Sequence, residues 1–140
     1  MMRFLLKLRR DESGTSAVEF ALIAPLLFGF LIGIAQLGIL FLANTGLKSA
    51  VGEGARLATI FPRPTNAAII ARITDRHFGL EPQYITNPTI TEPTAAQVAA
   101  NNGRAYLDIS MSYAVPLDFI FFTTPPVTLV ERRRVFVHST

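Results

Sequence analysis

The 140-residue chain contains no cysteine, which excludes a disulfide framework and a zinc-thiolate site. Whatever folds here folds without covalent staples. Histidine is almost as scarce: His77 and His138 stand far apart, and neither sits in a metal-ligand or triad pattern. The ten carboxylates are scattered, with no acid/base pair recognisable from spacing. No glycine-rich phosphate loop follows a strand, since Gly52-Glu53-Gly54 falls in a helical pattern. The reading is therefore no enzyme, no metal and no cofactor.

Charge is also thin. The net balance of +3 is too small for a nucleic-acid stripe, so no nucleic-acid partner is expected. Much of it belongs to the first 14 residues. Arg3, Lys7, Arg9 and Arg10 against Asp11 and Glu12 leave the rest of the chain at only +1. From Thr15 to Leu47 the one charged side chain before the end of the run is Glu19, and from Ala21 to Leu42 the one strongly polar residue is Gln36. At 1.5 Å per residue those 22 residues make about 33 Å of helix, enough for a hydrocarbon layer of about 30 Å. The run is too long for a cleaved secretory signal and has no polar face, so it reads as a membrane span. Four basic residues precede it and only Lys48 and Arg56 follow closely. That bias predicts a cytoplasmic N-terminus and an exported remainder in a bacterial inner membrane.

Past the span the helical pattern continues. Leu47, Val51, Ala55 and Ala58 recur at helical spacing, with Lys48, Glu53 and Arg56 on other faces. Phe61-Pro62-Arg63-Pro64 ends it, so one helix is predicted from about Thr15 to Ile60, with bending at Gly46, Gly52 and Gly54. A second helix follows, capped by Thr65 or Asn66. Its apolar side is Ala67, Ile69, Ile70, Ile73 and Phe78, and Gly79 stops it. Tyr84–Thr91 reads as an edge or irregular strand because of Pro88. Pro93–Ala100 reads as a short helical turn, and Asn101-Asn102-Gly103 as a tight turn. Ala105–Val115 alternates apolar with Tyr106, Asp108, Ser110 and Ser112, the clearest strand pattern in the chain. Pro116–Pro126 is read as a loop with Phe119, Ile120, Phe121 and Phe122 plugging the underside of the sheet. A last strand runs from Val127 to about His138, with Arg132, Arg133 and Arg134 as a solvated edge.

The predicted class is α+β: a long N-terminal transmembrane helix leading into a small head with a short helix and a small, mostly antiparallel sheet. The segments are a leader (1–14), a span (15–43), a helix extension (44–60) and a head (61–140). A head of this size has a marginal core. Its sheet is expected to borrow an apolar face from the far half of the long helix.

The most informative stretch is Glu12-Ser13-Gly14-Thr15-Ser16-Ala17-Val18-Glu19-Phe20. It resembles the processing site of class III prepilins, where a short basic leader ends in Gly and the mature helix has Glu fifth and an aromatic sixth. The wider run VEFALIAPLLFGFLIGIAQLG, with AVGEGARLA beyond it, is similar to the TadE-like minor pseudopilins of tight-adherence (Flp/Tad) type IV pili. The resemblance covers Ser13–Ala58. It departs at Phe20, where Flp pilins usually carry Tyr. It implies leader cleavage between Gly14 and Thr15 by a prepilin peptidase. Glycine suits that step, having no Cβ to obstruct an extended backbone.

Cleavage would free the Thr15 amine one helical turn from Glu19. The resemblance makes Glu19 the partner of a neighbouring subunit's N-terminal amine. Taken alone, Glu19 reads better as a charge that snorkels to the cytoplasmic interface; Gly14 before it, Phe20 after it and the basic leader turn the reading toward assembly. Pro25 removes a helix hydrogen bond and is expected to kink the span. Ala17, Ala21, Pro25, Gly29 and Gly33 form a four-residue-spaced track, in which Gly29 and Gly33 make a GxxxG pair that permits close helix approach. The implied partners are the major Flp-type pilin, a second minor pseudopilin and inner-membrane platform proteins, in pilus assembly and adhesion. The competing reading is an uncleaved, signal-anchored periplasmic adaptor, which needs neither Gly14 nor Glu19.

Overall fold

The computed structural model describes residues 13–75, 78–119 and 122–137. The leader residues before Ser13, both histidines, Ile120 and Phe121 lie outside the described residues, so the readings placed on them stay as expectations. The apolar run and its extension form one uninterrupted helix, α1, Ser13–Ala58, of 46 residues. At 1.5 Å per residue it is about 69 Å long. Helix α2, Asn66–Asp75, follows. The Thr65 hydroxyl accepts the Ala68 N–H at 3.2 Å, which makes Thr65 the cap.

Phe78 departs from its expected place on the apolar side of α2. It lies past the helix and is 83% exposed. Next to it Gly79 takes φ +73°, which reverses the chain at little steric cost.

A 3₁₀ turn, Pro82–Tyr84, leads into β1, Ile85–Thr91. Helix α3, Ala95–Ala100, opens on a capping box between Thr94 and Gln97. Asn102 and Gly103 adopt positive φ and turn the chain into β2, Tyr106–Val115. Strand β5, Val127–Phe136, closes the sheet. The sheet is antiparallel in the order β1-β2-β5. β1 is therefore an edge, and its register shifts between Thr86 and Thr89 around Pro88, which has no N–H to give the ladder.

The Pro116–Pro126 segment is more than a loop. Asp118–Phe119 and Phe122–Thr123 pair as a two-stranded hairpin, β3 and β4. The plug expected of its phenylalanines is absent from the described residues. Phe119 and Phe122 stack on each other at 4.7 Å, and Phe122 is 58% exposed.

The inward face of β2 supplies Leu107, Ile109, Met111, Tyr113 and Val115, all buried, as the alternation predicts. They pack on one stripe of α1 (Ala43, Leu47, Ala50, Val51, Ala55, Ala58) and on Ile69 and Ile73 of α2. The head thus completes its core with the helix that also carries the apolar run. Tyr106 departs from the pattern: it is buried on the opposite face, edge-on to Phe136, with the Arg134 guanidinium 4.1 Å above its ring.

Candidate functional site

The expected assembly residues all lie on the first half of α1. Gly14 and Thr15 are in its first turn, and Glu19 follows one turn later. Gly14, Thr15, Ala17, Glu19, Phe20, Ala21 and Pro25 are all exposed in the single chain. The helix continues through Pro25. Gly29 and Gly33 are half-covered, yet a Cβ built on either would meet nothing within 4 Å. Among the described residues, nothing else in this chain fills those two notches. Exposed Leu22, Leu26, Phe30 and Phe41 surround them. That is the surface of a rod made to be covered by lipid or by other helices.

The second half of α1 has a different job. Gly46 and Gly54, expected as weak points of the helix, are where the head comes closest. A Cβ on Gly46 would collide with the backbone carbonyl of Phe78, and one on Gly54 with the Ile73 side chain. The sequence signal for this seam was available in the small residues Ala43, Ala50, Gly54 and Ala58, which share one helical stripe.

Ion pairs tie the seam from outside. Glu53 meets Arg56 at 3.1 Å and reaches across to Arg72 of α2 at 3.4 Å. The Arg56 hydrogen bond, more than any other contact, lowers the Glu53 pKa. Arg63 grips Glu92 at 2.7 Å, and Asn66 adds a second donor at 3.0 Å, so α2 is fastened to the far end of β1. The Arg63 hydrogen bond lowers the Glu92 pKa. On the outer sheet face Arg134 donates twice to Asp108, both at 2.8 Å, lowering the carboxyl pKa and raising that of the guanidinium.

An open groove lined by Thr91, Ser110 and Arg132 flanks this last pair. Its one carboxylate, Asp108, is already held by Arg134. Among the described residues no group of His, Asp and Glu is placed to hold a metal ion.

Gln36 is the polar exception on the rod. Its side-chain N–H donates to the Asp118 carbonyl at 2.5 Å, while its Oε1 is buried without a partner among the described residues. The β3–β4 hairpin is thereby fastened to α1 inside the apolar run.

The architecture is consistent with a single-span anchor: among the described residues one helix is long and apolar enough to cross a membrane, and it bears a small α+β head. Residues 14–56 match the family model of TadE-like proteins, which is the family the sequence resembles. The matched segment starts at the glycine of the expected junction and covers most of α1. It points to a Tad/Flp pilus-related role. No curated protein and no solved structure matches the chain.

Proposed function

We propose that this chain is a minor pseudopilin that takes part in the initiation, extension or anchoring of a Flp/Tad type IV pilus after leader cleavage at Gly14. The observation that carries the reading is the coincidence of three features on one helix. The TadE-like match begins at Gly14, Glu19 stands exposed one turn beyond, and an apolar rod follows with nothing among the described residues packed around its first half.

The mechanism is structural. Prepilin peptidase cuts the Gly14–Thr15 bond, and Thr15 becomes a charged amine. Glu19 pairs with such an amine on a neighbouring pilin, which offsets the cost of a carboxylate held near hydrocarbon. Ala17, Ala21, Gly29 and Gly33 admit neighbouring helices at close range, and Pro25 eases the bend between membrane and fibre packing. The N-terminus faces the cytoplasm and the head the periplasm. The partners are the major pilin, a second minor pseudopilin and the inner-membrane platform.

Mass spectrometry of the protein from its native host tests the first step: the mature chain should begin at Thr15. An intact leader in cells with an active peptidase contradicts the proposal. Glu19→Ala should leave membrane insertion unchanged and impair piliation. Normal pili in that strain would remove Glu19 from the mechanism.

A further inference from the structure

Three phenylalanines outside the helix stand beside the far end of the apolar run, on either side of Leu42. The Gln36–Asp118 hydrogen bond holds the β3–β4 hairpin beside a residue six positions before the end of the apolar run at Leu42. At 1.5 Å per residue that is about 9 Å inside the run. A second, separate loop meets the same end of the head: a Cβ on Gly79 would lie 3.1 Å from Leu42 Cγ, and the neighbouring Phe78 carbonyl abuts Gly46. Phe78 is 83% exposed and Phe122 58% exposed, with Phe119 stacked on Phe122. Two loops with no sequence relation thus bring two exposed rings, Phe78 and Phe122, and the half-buried Phe119 to the last turns of the span.

We infer that Phe78, Phe119 and Phe122 form an aromatic collar that dips into the head-side leaflet of the phospholipid bilayer. The inference rests on the reading of α1 as a membrane span. The physical case is depth. If the apolar run fills the hydrocarbon, the hairpin's attachment at Gln36 lies about 9 Å inside its edge, and Phe78, beside Gly46, about 6 Å outside it. Apolar rings are stable in this zone, typically buried about 5–10 Å into the boundary between acyl chains and headgroups. The head is then held against the membrane at two further points beside the span, and must break both to leave the bilayer.

The absence of tryptophan makes the test clean, because one introduced tryptophan reports alone. Full-length Phe122→Trp and Phe78→Trp proteins would be reconstituted in phosphatidylcholine/phosphatidylglycerol vesicles, with or without acyl chains brominated near the headgroup. Both should show blue-shifted emission and lose intensity to the brominated lipid. Phe61→Trp is the comparison: it is 78% exposed past the far end of α1, and should keep its intensity. Leu31→Trp, at the middle of the run, reports on the span itself in matched vesicles whose acyl chains are brominated near their methyl ends.

Quenching of Leu31→Trp without quenching of Phe122→Trp and Phe78→Trp overturns the collar and spares the span. Loss of quenching at Leu31→Trp as well overturns the membrane reading and the collar with it. A blue shift that follows protein-to-lipid ratio, with no bromine effect, also overturns the proposal, and assigns the rings to contact between copies of this chain.

Discussion

Adding a single methyl group at Gly46 and at Gly52 should change stability in opposite directions, although both positions are helical. In an ordinary helix interior, Gly→Ala stabilises by about 1 kcal/mol, because alanine loses less backbone entropy. At Gly52 a Cβ would meet only the Arg133 guanidinium, at 3.2 Å, the free end of a flexible side chain. The propensity gain should survive there almost whole. At Gly46 the obstruction is the Phe78 backbone carbonyl, with Leu80 Cγ at 3.2 Å behind it, and neither retreats without moving the turn at Gly79. Overpacking costs about 1–3 kcal/mol. With a backbone atom in the way the upper end applies, so after the propensity gain Gly46→Ala should lose about 2 kcal/mol.

For a folded unit of this size, 1 kcal/mol moves Tm by about 4–8 °C. Thermal unfolding of the full chain in detergent micelles, followed by near-ultraviolet circular dichroism of the tyrosines, reads the head. Gly46→Ala should melt about 8–16 °C lower, and Gly52→Ala about 4–8 °C higher. Stabilisation by both substitutions would refute the account of Gly46 as a packing notch. Destabilisation by both would mean that α1 is not an ordinary helix at these positions.

Other outcomes follow from the same packing. Ile109→Ala empties a fully buried site between sheet and helix and should cost about 2–5 kcal/mol; a loss under 1 kcal/mol in urea unfolding would mean that the sheet does not close on α1. Glu53, Glu92 and Asp108 have folded pKa values below their ordinary ones. Their contribution to stability is therefore complete above the ordinary carboxylate range of about 4 and lost as pH falls through the lowered values. Tm should be flat from neutral pH down to about 5 and then fall. Asp108→Asn should make that fall shallower, and an unchanged profile would deny Asp108 a part in it. Gln36→Leu removes the donor to Asp118 and should speed protease cleavage within 118–123 while leaving Tm nearly unchanged; equal cleavage rates would show that the hairpin is held by other means.

Long, periodic signals were legible in the sequence and short or two-sided ones were not. The uninterrupted apolar run left little alternative to a helix. The alternation from Leu107 to Val115 fixed both β2 and its inward face. The helix end predicted at about Ile60 from the prolines beyond it lies two residues past the observed end at Ala58.

Phe78 lies off the apolar side because α2 ends at Asp75, three residues before it, and an apolar residue just ahead of a stopping glycine carries no sign that the helix has already closed. The hairpin escaped notice because two paired residues per strand leave no period to read. Tyr106 looked solvent-facing by alternation, but a sheet's outer face can bury a ring when an aromatic and a guanidinium from the next strand close over it. Gly46 and Gly54 were taken as flaws because a glycine's cost to a helix is local, whereas its value depends on what approaches from elsewhere. For the expected assembly residues the limit is different in kind: Gly14, Glu19 and the Gly29–Gly33 notch face outward, and their chemistry depends on molecules that the sequence does not contain.

Because α1 runs unbroken from the bare rod into the core of the head, the head has no swivel. A slip of one residue in how the rod docks among its neighbours would turn the head by about 100° and raise it by about 1.5 Å. Compass heading and height are thus set together by a single choice of groove. Few graded adjustments are open to such a part: it either presents its sheet in the intended direction or points it somewhere visibly wrong.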